Sequence, residues 1–357
     1  MHDESDYNRK SEFKIFKQTI PYGHFTWNDQ SIRHLEAKKV NLTDLMKCVS
    51  ENDKIPIIDI DRALKLVKDK GPLEFLGTGE ECSFTKKDCV KGVPSALVLR
   101  IAQKKGLDLN DLDFVFGGST LGVLAERHLP PKSWNDKELA IFIVQRIRGI
   151  ISVRKFPNYT WRVNAIGAQF ETLMIDGQFD SEDNPNRHEN ITLLNIADAE
   201  LQNKFSVLCF AEIDGHVMDL PEHNITPDSI KSPQICEMKV VNLKYSACEL
   251  PLQMISNNST ILLHGEKQKT GKKFFLADIK KYDREVIIGR YHSESIKARE
   301  NNILYCLKQL KNHSKNLKEN KVYLLSFNNE ELQIKKPASN DFDDCQIRSE
   351  VVNSLFS

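Results

Sequence analysis

Two apolar segments that end in acidic residues constrain the fold of this chain most. Hydrophobic runs of this kind predict β-strands buried in a sheet. Because side chains alternate between the two faces of a strand, Glu212 and Asp214 share a face of the first segment. Glu237 and Lys239 share a face of the second for the same reason. If the two strands are neighbours, three carboxylates and one ammonium group converge on a small patch. The two segments are residues 205–214 and 234–241.

Such a patch predicts a metal-dependent phosphodiesterase site. Carboxylates held this close raise one another's pKa and are costly to keep ionised unless a cation neutralises them. Carboxylate oxygens are the ligands that Mg²⁺ and Mn²⁺ prefer. One or two such ions would activate a water and stabilise the leaving oxygen, while Lys239 orients the water or neutralises phosphate charge.

The spacing of these charges is not specific by itself, because pairs of charged residues one position apart also arise by chance. Solvated strand ends are the structural alternative. Other pairs in the chain have the same spacing, among them Asp59-Ile-Asp61, Asp278-Ile-Lys280 and Asp341-Phe-Asp343.

Charge balance and hydrophobicity limit the class of protein. The 357 residues suffice for one large domain or two closely joined ones, and 50 basic residues balance 50 acidic ones. No global positive field therefore indicates a nucleic-acid partner, although the basic stretches 146–155 and 267–273 could line a cleft or simply face solvent. The eight cysteines form no C-x-x-C pair. With no secretory signal and no membrane-length apolar segment, we expect a protein of the nucleus or cytoplasm.

The remaining patterns indicate many strands in the second half of the chain, with helices at intervals. We therefore predict an α+β fold, with one mixed sheet or two packed sheets flanked by helices. Residues 1–12 are expected to be disordered, residues 13–336 to form the domain and residues 337–357 to be a polar tail. Residues 265–273 lack the glycine spacing of a phosphate loop, and we predict a lysine-rich hairpin turn there.

Four short motifs, in this order, resemble the DXO family of decapping exoribonucleases. That family has a glycine four residues before a glutamate, then Glu-x-Asp, then Glu-x-Lys, then a glutamine on a helix. The match covers about residues 140–285, and the flanks match only loosely. The corresponding residues are Gly167 with Glu171, Glu212 with Asp214, Glu237 with Lys239, and Gln253.

The resemblance implies a single nuclease domain of mixed sheets related to the PD-(D/E)xK nucleases. It implies removal of incomplete or non-standard RNA caps, including NAD caps, and 5′-to-3′ digestion of 5′-monophosphate RNA. Two divalent cations, Mg²⁺ or Mn²⁺, would be the cofactors. The implied metal ligands are Glu171, Asp214, Glu237 and the main-chain carbonyl of Met238, with Glu212 acting through water or a second ion. The implied substrate contacts are Lys239, Gln253 and Lys267.

One position departs from the family pattern. The family's first motif, Trp-Arg-Gly, carries an arginine that contacts substrate phosphate, whereas the local match here has Gly118 in its place. Arg148 lies in the next family element and does not take over this role. Loss of a charge-assisted phosphate contact costs about 1.5–3 kcal/mol, so substrate preference should change more than chemistry. Two alternatives stay open: a non-enzyme that binds RNA ends or a partner 5′-3′ exonuclease, and a DNA nuclease.

Overall fold

The structure, a computed structural model, describes residues 11–28, 41–75, 83–84, 93–126, 142–155, 161–162, 165–176, 186–217, 234–240, 243, 249–328, 331–337 and 346–357. Of the expected disordered N-terminus, residues 1–10 lie outside these ranges. The strands are β1 Phe16–Asn28, β2 Val49–Ser50, β3 Ile57–Ile58, β4 Leu73–Glu74, β5 Ser83–Phe84, β6 Phe114–Gly117, β7 Phe142–Ile147, β8 Ile150–Lys155, β9 Trp161–Arg162, β10 Asn186–Ala197, β11 Lys204–Glu212, β12 Gly215–Val217, β13 Gln234–Lys239, β14 Ile261–Thr270, β15 Lys273–Asp283, β16 Val322–Asn328 and β17 Glu331–Lys335. The helices are α1 Leu42–Met46, α2 Ile60–Lys70, α3 Val93–Lys104, α4 Thr120–Ala125, α5 Ala165–Asp176, α6 Glu249–Ser256, α7 Arg284–Ile288, α8 Ser293–Ser314 and α9 Ser349–Leu355, with a 3₁₀ turn at Leu109–Asp111.

Two large sheets carry the fold. The first has nine strands in the order β17-β16-β7-β8-β6-β11-β10-β1-β2, and the second has six in the order β3-β12-β13-β14-β15-β4. Both are mixed, since β6 runs parallel to β8 and β11, and β13 runs parallel to β14, among antiparallel pairs. The predicted α+β class of mixed sheets flanked by helices is confirmed.

Helices cover both faces of the nine-stranded sheet. Phe116 of β6 packs in one apolar cluster with Ile303 and Leu307 of α8. Its neighbour Val115 faces the other side, in a second cluster with Leu97 of α3. This alternation follows from strand geometry, and each fully buried side chain of this size contributes about 1.5–3 kcal/mol. The result is a rigid sheet from whose end Glu212 projects.

The strands β11 and β13 are not neighbours, so the acids do not converge through a direct pairing of these two strands. β11 lies between β6 and β10 in the nine-stranded sheet, which leaves it no free edge for β13. Instead, the chain leaves β11 at Glu212, turns through residues 213 and 214, and becomes β12, which pairs antiparallel with β13. We call this junction, residues 212–215 with the facing part of β13, the sheet seam. The acidic strand ends meet at the sheet seam.

The expected polar C-terminal tail contains a helix. Val351, Val352 and Leu355 of α9 are buried in the cluster that also holds α3. Their spacing places them on one helix face, a pattern that the surrounding polar residues obscure. The predicted lysine-rich hairpin is present as β14 and β15, with Gly271 at its turn. Within the described residues, no helix is long and apolar enough to cross a membrane.

Candidate active site

Four acidic side chains and one lysine meet at the sheet seam. Glu212 ends β11, Asp214 precedes β12, Glu237 and Lys239 lie on one face of β13, and Glu171 comes from α5. Glu171 lies close enough to the others for their charges to affect its pKa. Burial raises this pKa to about 8, the charges of Asp214, Glu212 and Glu237 add to the rise, and Lys239 opposes it. The structure therefore brings together five of the residues that the sequence predicted for this site.

Glu237 lies at the centre of this group and is fully buried. One carboxylate oxygen, Oε1, forms an ion pair with Lys239 Nζ. The other, Oε2, accepts a 2.7 Å hydrogen bond from Asn257 Nδ2. Asp214 Oδ2 lies 3.9 Å from the same Lys239 ammonium and accepts a 2.6 Å hydrogen bond from the Met238 main-chain N–H. One ammonium group thus contacts two carboxylates.

Burial and mutual repulsion dominate the electrostatics of the seam. Burial raises the pKa of Glu237 to about 7, and Asp214 adds to the shift. Burial likewise raises the pKa of Asp214, against the opposing effects of Lys239 and the Met238 N–H. Burial alone would lower the pKa of Lys239, but Glu237 and Asp214 raise it well above its usual range. Lys239 therefore keeps its charge at neutral pH, whereas Glu171 and Glu237 retain their protons to a higher pH than ordinary carboxyl groups do.

The two remaining motif residues, Gln253 and Met238, lie beside the acids. Gln253 is half-buried on α6, and its carbonyl accepts a hydrogen bond from the N–H of Asn257, one turn later. Gln253 thus lies one turn before Asn257, the residue whose side chain contacts Glu237. The Met238 side chain is buried among apolar residues, so only its main chain can reach the acids.

Lys267 lies outside the carboxylate group. It follows the residues of β14 that pair with β13, on the outer part of the hairpin. Its Nζ lies 4.8 Å from the centroid of the Phe274 ring. Arg146, in the other basic stretch, forms a 2.8 Å ion pair with Glu319 and so has a structural partner.

Gly118 packs tightly against β11. A Cβ at this position would lie 3.1 Å from Ala211 Cα and still closer to Ala211 Cβ. An arginine side chain therefore cannot begin here without a shift of the backbone. Arg148 lies in the turn between β7 and β8, where its N–H donates a 2.8 Å hydrogen bond to Glu319. Neither position supplies the phosphate contact of the family's first motif.

The donor set of the seam fits a hard divalent cation. Its side chains offer carboxylate oxygens, and Glu237 Oε1 is buried with no hydrogen bond of ordinary geometry in the described part of the chain. Within the described ranges, no three His, Cys, Asp or Glu side chains are already arranged around one point as a metal would require. In the arrangement present, the Lys239 ammonium is the cation between Glu237 and Asp214.

The other charge pairs with the same spacing have structural roles where they are described. Asp59 caps α2, since its Oδ1 accepts a 2.9 Å hydrogen bond from the N–H of Arg62. Lys280 pairs with Glu266 on the surface of the hairpin. The third pair, Asp341 and Asp343, lies outside the described residues. Among these pairs, as far as the structure describes them, only Glu237 with Lys239 contains a fully buried acid.

Asn257 and Asn190 are seam residues that the sequence reasoning missed. Both are buried, and Asn190 Nδ2 donates a 2.8 Å hydrogen bond to the Asn257 carbonyl. The four-residue spacing between Gln253 and Asn257 is the signal that could have identified the latter. No comparable signal in the sequence points to Asn190.

Three histidines on β1, β10 and β12 also lie beside the seam. The rings of His24 and His216 meet edge to face at 6.4 Å between centroids. His188 Nδ1 lies 2.8 Å from Thr26 Oγ1. Burial lowers the pKa of His188 and of His216, so these two add aromatic surface rather than positive charge at neutral pH. They are far apart in the chain, and no motif connects them.

Solved structures match this chain over most of its length, whereas no family model and no curated protein matches it. Dxo1 from K. lactis, in complex with manganese, is 13% identical with a TM-score of 0.59, and the match covers 93% of each chain. Rai1 from Candida albicans, in complex with pU5-Mn²⁺, is 10% identical with a TM-score of 0.60, over 96% of this chain and 95% of that one. Rai1 from S. pombe is 13% identical with a TM-score of 0.56, over 92% and 98%. The chain has the fold of Dxo1 and Rai1, as the resemblance to the DXO family implied.

Proposed function

We propose that this protein is a divalent-metal-dependent hydrolase of RNA 5′ ends. The observation that carries the proposal is the cluster of carboxyl groups at the sheet seam, where Asp214 and Glu237 share the ammonium group of Lys239 and Glu171 lies beside them. Holding such a group is costly unless a cation joins it, and carboxylate oxygens select Mg²⁺ or Mn²⁺. The fold supports the same function, because solved proteins with this fold bind manganese and pU5.

The acids of the seam are proposed to hold the metal. Glu171, Asp214 and Glu237 would be ligands together with the main-chain carbonyl of Met238, and Glu212, which is exposed, would act through water or a second ion. When bound, the ions would supply an activated water and neutralise charge at the scissile phosphate. The chain's contribution is to exclude bulk water from Glu237 and to fix the relative positions of the acids across two sheets.

Lys239 is proposed to act as a charge and not as a base. Because its pKa lies well above the usual range, it stays protonated at neutral pH and cannot accept a proton from water. Its ammonium contacts Glu237 and approaches Asp214, the position from which it would stabilise a phosphate oxygen. Gln253, on the adjoining face of α6, would orient the water or the phosphate.

The proposed substrates are incomplete or non-standard caps, including NAD caps, and 5′-monophosphate RNA. Gly118 leaves the site without the family's arginine, so we expect weaker selection for a particular 5′ phosphate than that arginine would give. For this activity the site would have to admit a single-stranded 5′ end.

The test uses one RNA body with five different 5′ ends: monophosphate, triphosphate, unmethylated cap, methylated cap and NAD cap. Each RNA is incubated with Mn²⁺ and with one of three proteins, which are the wild type, Glu237→Ala and Asp278→Ala. The last variant is the matched control, because Asp278 belongs to a pair of the same spacing on the exposed hairpin. We expect wild type and Asp278→Ala to cleave some of these ends and Glu237→Ala to cleave none.

Three outcomes would contradict this assignment in different ways. Tight binding of RNA ends without turnover, when metal is shown to bind, favours an end-binding protein or a partner of an exonuclease. Equal cleavage of single-stranded DNA favours a DNA nuclease. If Glu237→Ala still cleaves RNA, the seam is not the catalytic site.

A further inference from the structure

Asn257 occupies a position between the two sheets that no sequence motif assigns. It follows the last residue of α6 and is fully buried. Its Nδ2 donates to Glu237 Oε2 at 2.7 Å and to the main-chain carbonyl of Glu212 at 3.1 Å. One amide group thus joins a carboxylate of the six-stranded sheet to the end of β11 in the nine-stranded sheet.

The rest of Asn257 is held just as firmly. Its Oδ1 accepts a 3.0 Å hydrogen bond from the N–H of Ser259, and its carbonyl accepts one from Asn190 Nδ2 at 2.8 Å. The side-chain amide therefore cannot flip without placing its oxygen against the Glu237 carboxylate. Its orientation is determined by its partners, and a fixed donor faces Glu237.

The two oxygens of Glu237 consequently differ. Oε2 is held by a neutral donor, whereas Oε1 has the ion pair with Lys239 and no hydrogen bond of ordinary geometry in the described part of the chain. A cation that enters the seam can take over the ion pair at Oε1 while the amide remains on Oε2. Rotation of the carboxylate would break the bond from Asn257 and leave a buried donor unsatisfied.

We propose that Asn257 is a positioning residue that fixes Glu237 so that Oε1 alone is presented to a divalent cation. This inference rests on the proposed metal site. Asn257 would contact neither substrate nor metal, and it would act only through Glu237 and through the end of β11. Hydrogen bonds to metal ligands of this kind typically change metal affinity by about 10–100-fold.

The test compares Asn257→Leu and Asn257→Ala with Ser256→Ala. Leucine keeps most of the side-chain volume and removes the donor. Ser256 is the matched control, since it is the buried neighbour and its hydroxyl donates to the Leu252 carbonyl at 2.9 Å, away from the acids. Mn²⁺ affinity is measured by calorimetry on each protein, with thermal melts in chelator to establish folding, and kcat and KM are measured on whichever RNA end wild type cleaves.

We expect Mn²⁺ affinity to fall about 10–100-fold in both Asn257 variants. Activity should fall through kcat with KM for RNA unchanged, and Ser256→Ala should match wild type in metal affinity. Folded Asn257 variants that bind Mn²⁺ as wild type does would overturn the inference, even if wild type cleaves RNA. If the Asn257 variants lose Mn²⁺ affinity but the wild type cleaves no RNA, the positioning role of Asn257 is supported and only the proposed function is refuted. If Asn257→Leu does not fold, Asn257→Ala carries the same comparison.

Discussion

Two buried glutamates in this molecule are held in opposite ways. Glu300, on α8, accepts hydrogen bonds from the main-chain N–H groups of Lys14 and Ile15, at 3.0 Å for Ile15. Its contacts attach the segment before β1 to the helix. Glu237 at the sheet seam has one neutral donor and one ammonium, and the carboxyl groups of Asp214 and Glu171 lie nearby.

The two glutamates differ in depth of burial and in the charges around them, since Glu237 is fully buried among other carboxyl groups and Glu300 keeps 8% of its surface exposed. Burial raises the pKa of both groups. The N–H groups and the lysines around Glu300 oppose that rise, whereas at Glu237 the opposition of Lys239 and Asn257 is met by Asp214, which adds to the rise. A structural acid such as Glu300 accepts hydrogen bonds from nearby main-chain N–H groups. A cluster of carboxyl groups around one ammonium group has the composition of a cation site, and the proposed function rests on this.

The largest contrast is expected between Glu171→Gln and Glu300→Gln. Glu171→Gln removes a proposed metal ligand, so RNA cleavage should fall at least about 100-fold. The same change removes like-charge repulsion, so the metal-free protein at pH 8.5 should be at least as stable as wild type. Glu300→Gln should lower stability by about 1 kcal/mol through weaker hydrogen bonds and leave cleavage unchanged. Cleavage rates and denaturant unfolding in chelator measure both effects.

A reversed pattern would break the comparison. If Glu300→Gln abolishes cleavage while remaining folded, the N-terminal segment belongs to the site. If Glu171→Gln unfolds the protein, the seam carboxylates serve the fold as Glu300 does.

Lys239→Met should produce the next largest effect, on stability. It leaves Glu237 and Asp214 buried without their ammonium, and breaking a buried ion pair from one side costs about 3–5 kcal/mol. Mn²⁺ should restore part of this loss, because it would supply the missing positive charge. Lys280→Met is the matched control, since Lys280 pairs with Glu266 on an exposed hairpin and its loss should leave the melting temperature nearly unchanged. Equal melting temperatures for the two variants in chelator would show that the seam needs no cation.

The sequence predicted the acids of the seam better than the geometry that unites them. Strand alternation placed Glu237 with Lys239 correctly, and the motif spacing pointed to Glu171. Whether β11 pairs with β13 could not be predicted locally, because a strand's partners depend on which edges other strands have already taken, and the two strands lie in different sheets. Which strands occupy those edges depends on residues throughout the chain, so the sequence around Asp214 does not reveal it.

Other seam features had weak or no local signals. Asn257 follows Gln253 by one helical turn, a spacing that is informative only once Gln253 is known to face the acids. Gly118 fits against Ala211 because two strands approach closely there, which the glycine alone does not reveal. The apolar face of α9 was obscured by its polar neighbours, and its burial depends on contact with a helix more than 200 residues earlier. Local periodicity thus predicted most elements, while contacts between distant segments determined the site.

The smallest predicted effect is a pH dependence that separates the two buried acids. A carboxyl group whose pKa is higher in the folded protein stabilises it fully below the ordinary pKa, and this contribution is lost as pH rises through the folded value. Because the pKa is about 7 for Glu237 and about 8 for Glu171, the melting temperature in chelator should fall by a few degrees between pH 5 and pH 8.5.

Glu300 contributes to this pH dependence with the same sign, so Glu300→Gln should remove only the part of the slope that Glu300 causes. Glu171→Gln should flatten the curve more, and saturating Mn²⁺ should reverse it, because the ion competes with protons for the same oxygens. A slope unaffected by Mn²⁺ would assign the titration to groups outside the seam and would leave Glu237 no different in kind from Glu300.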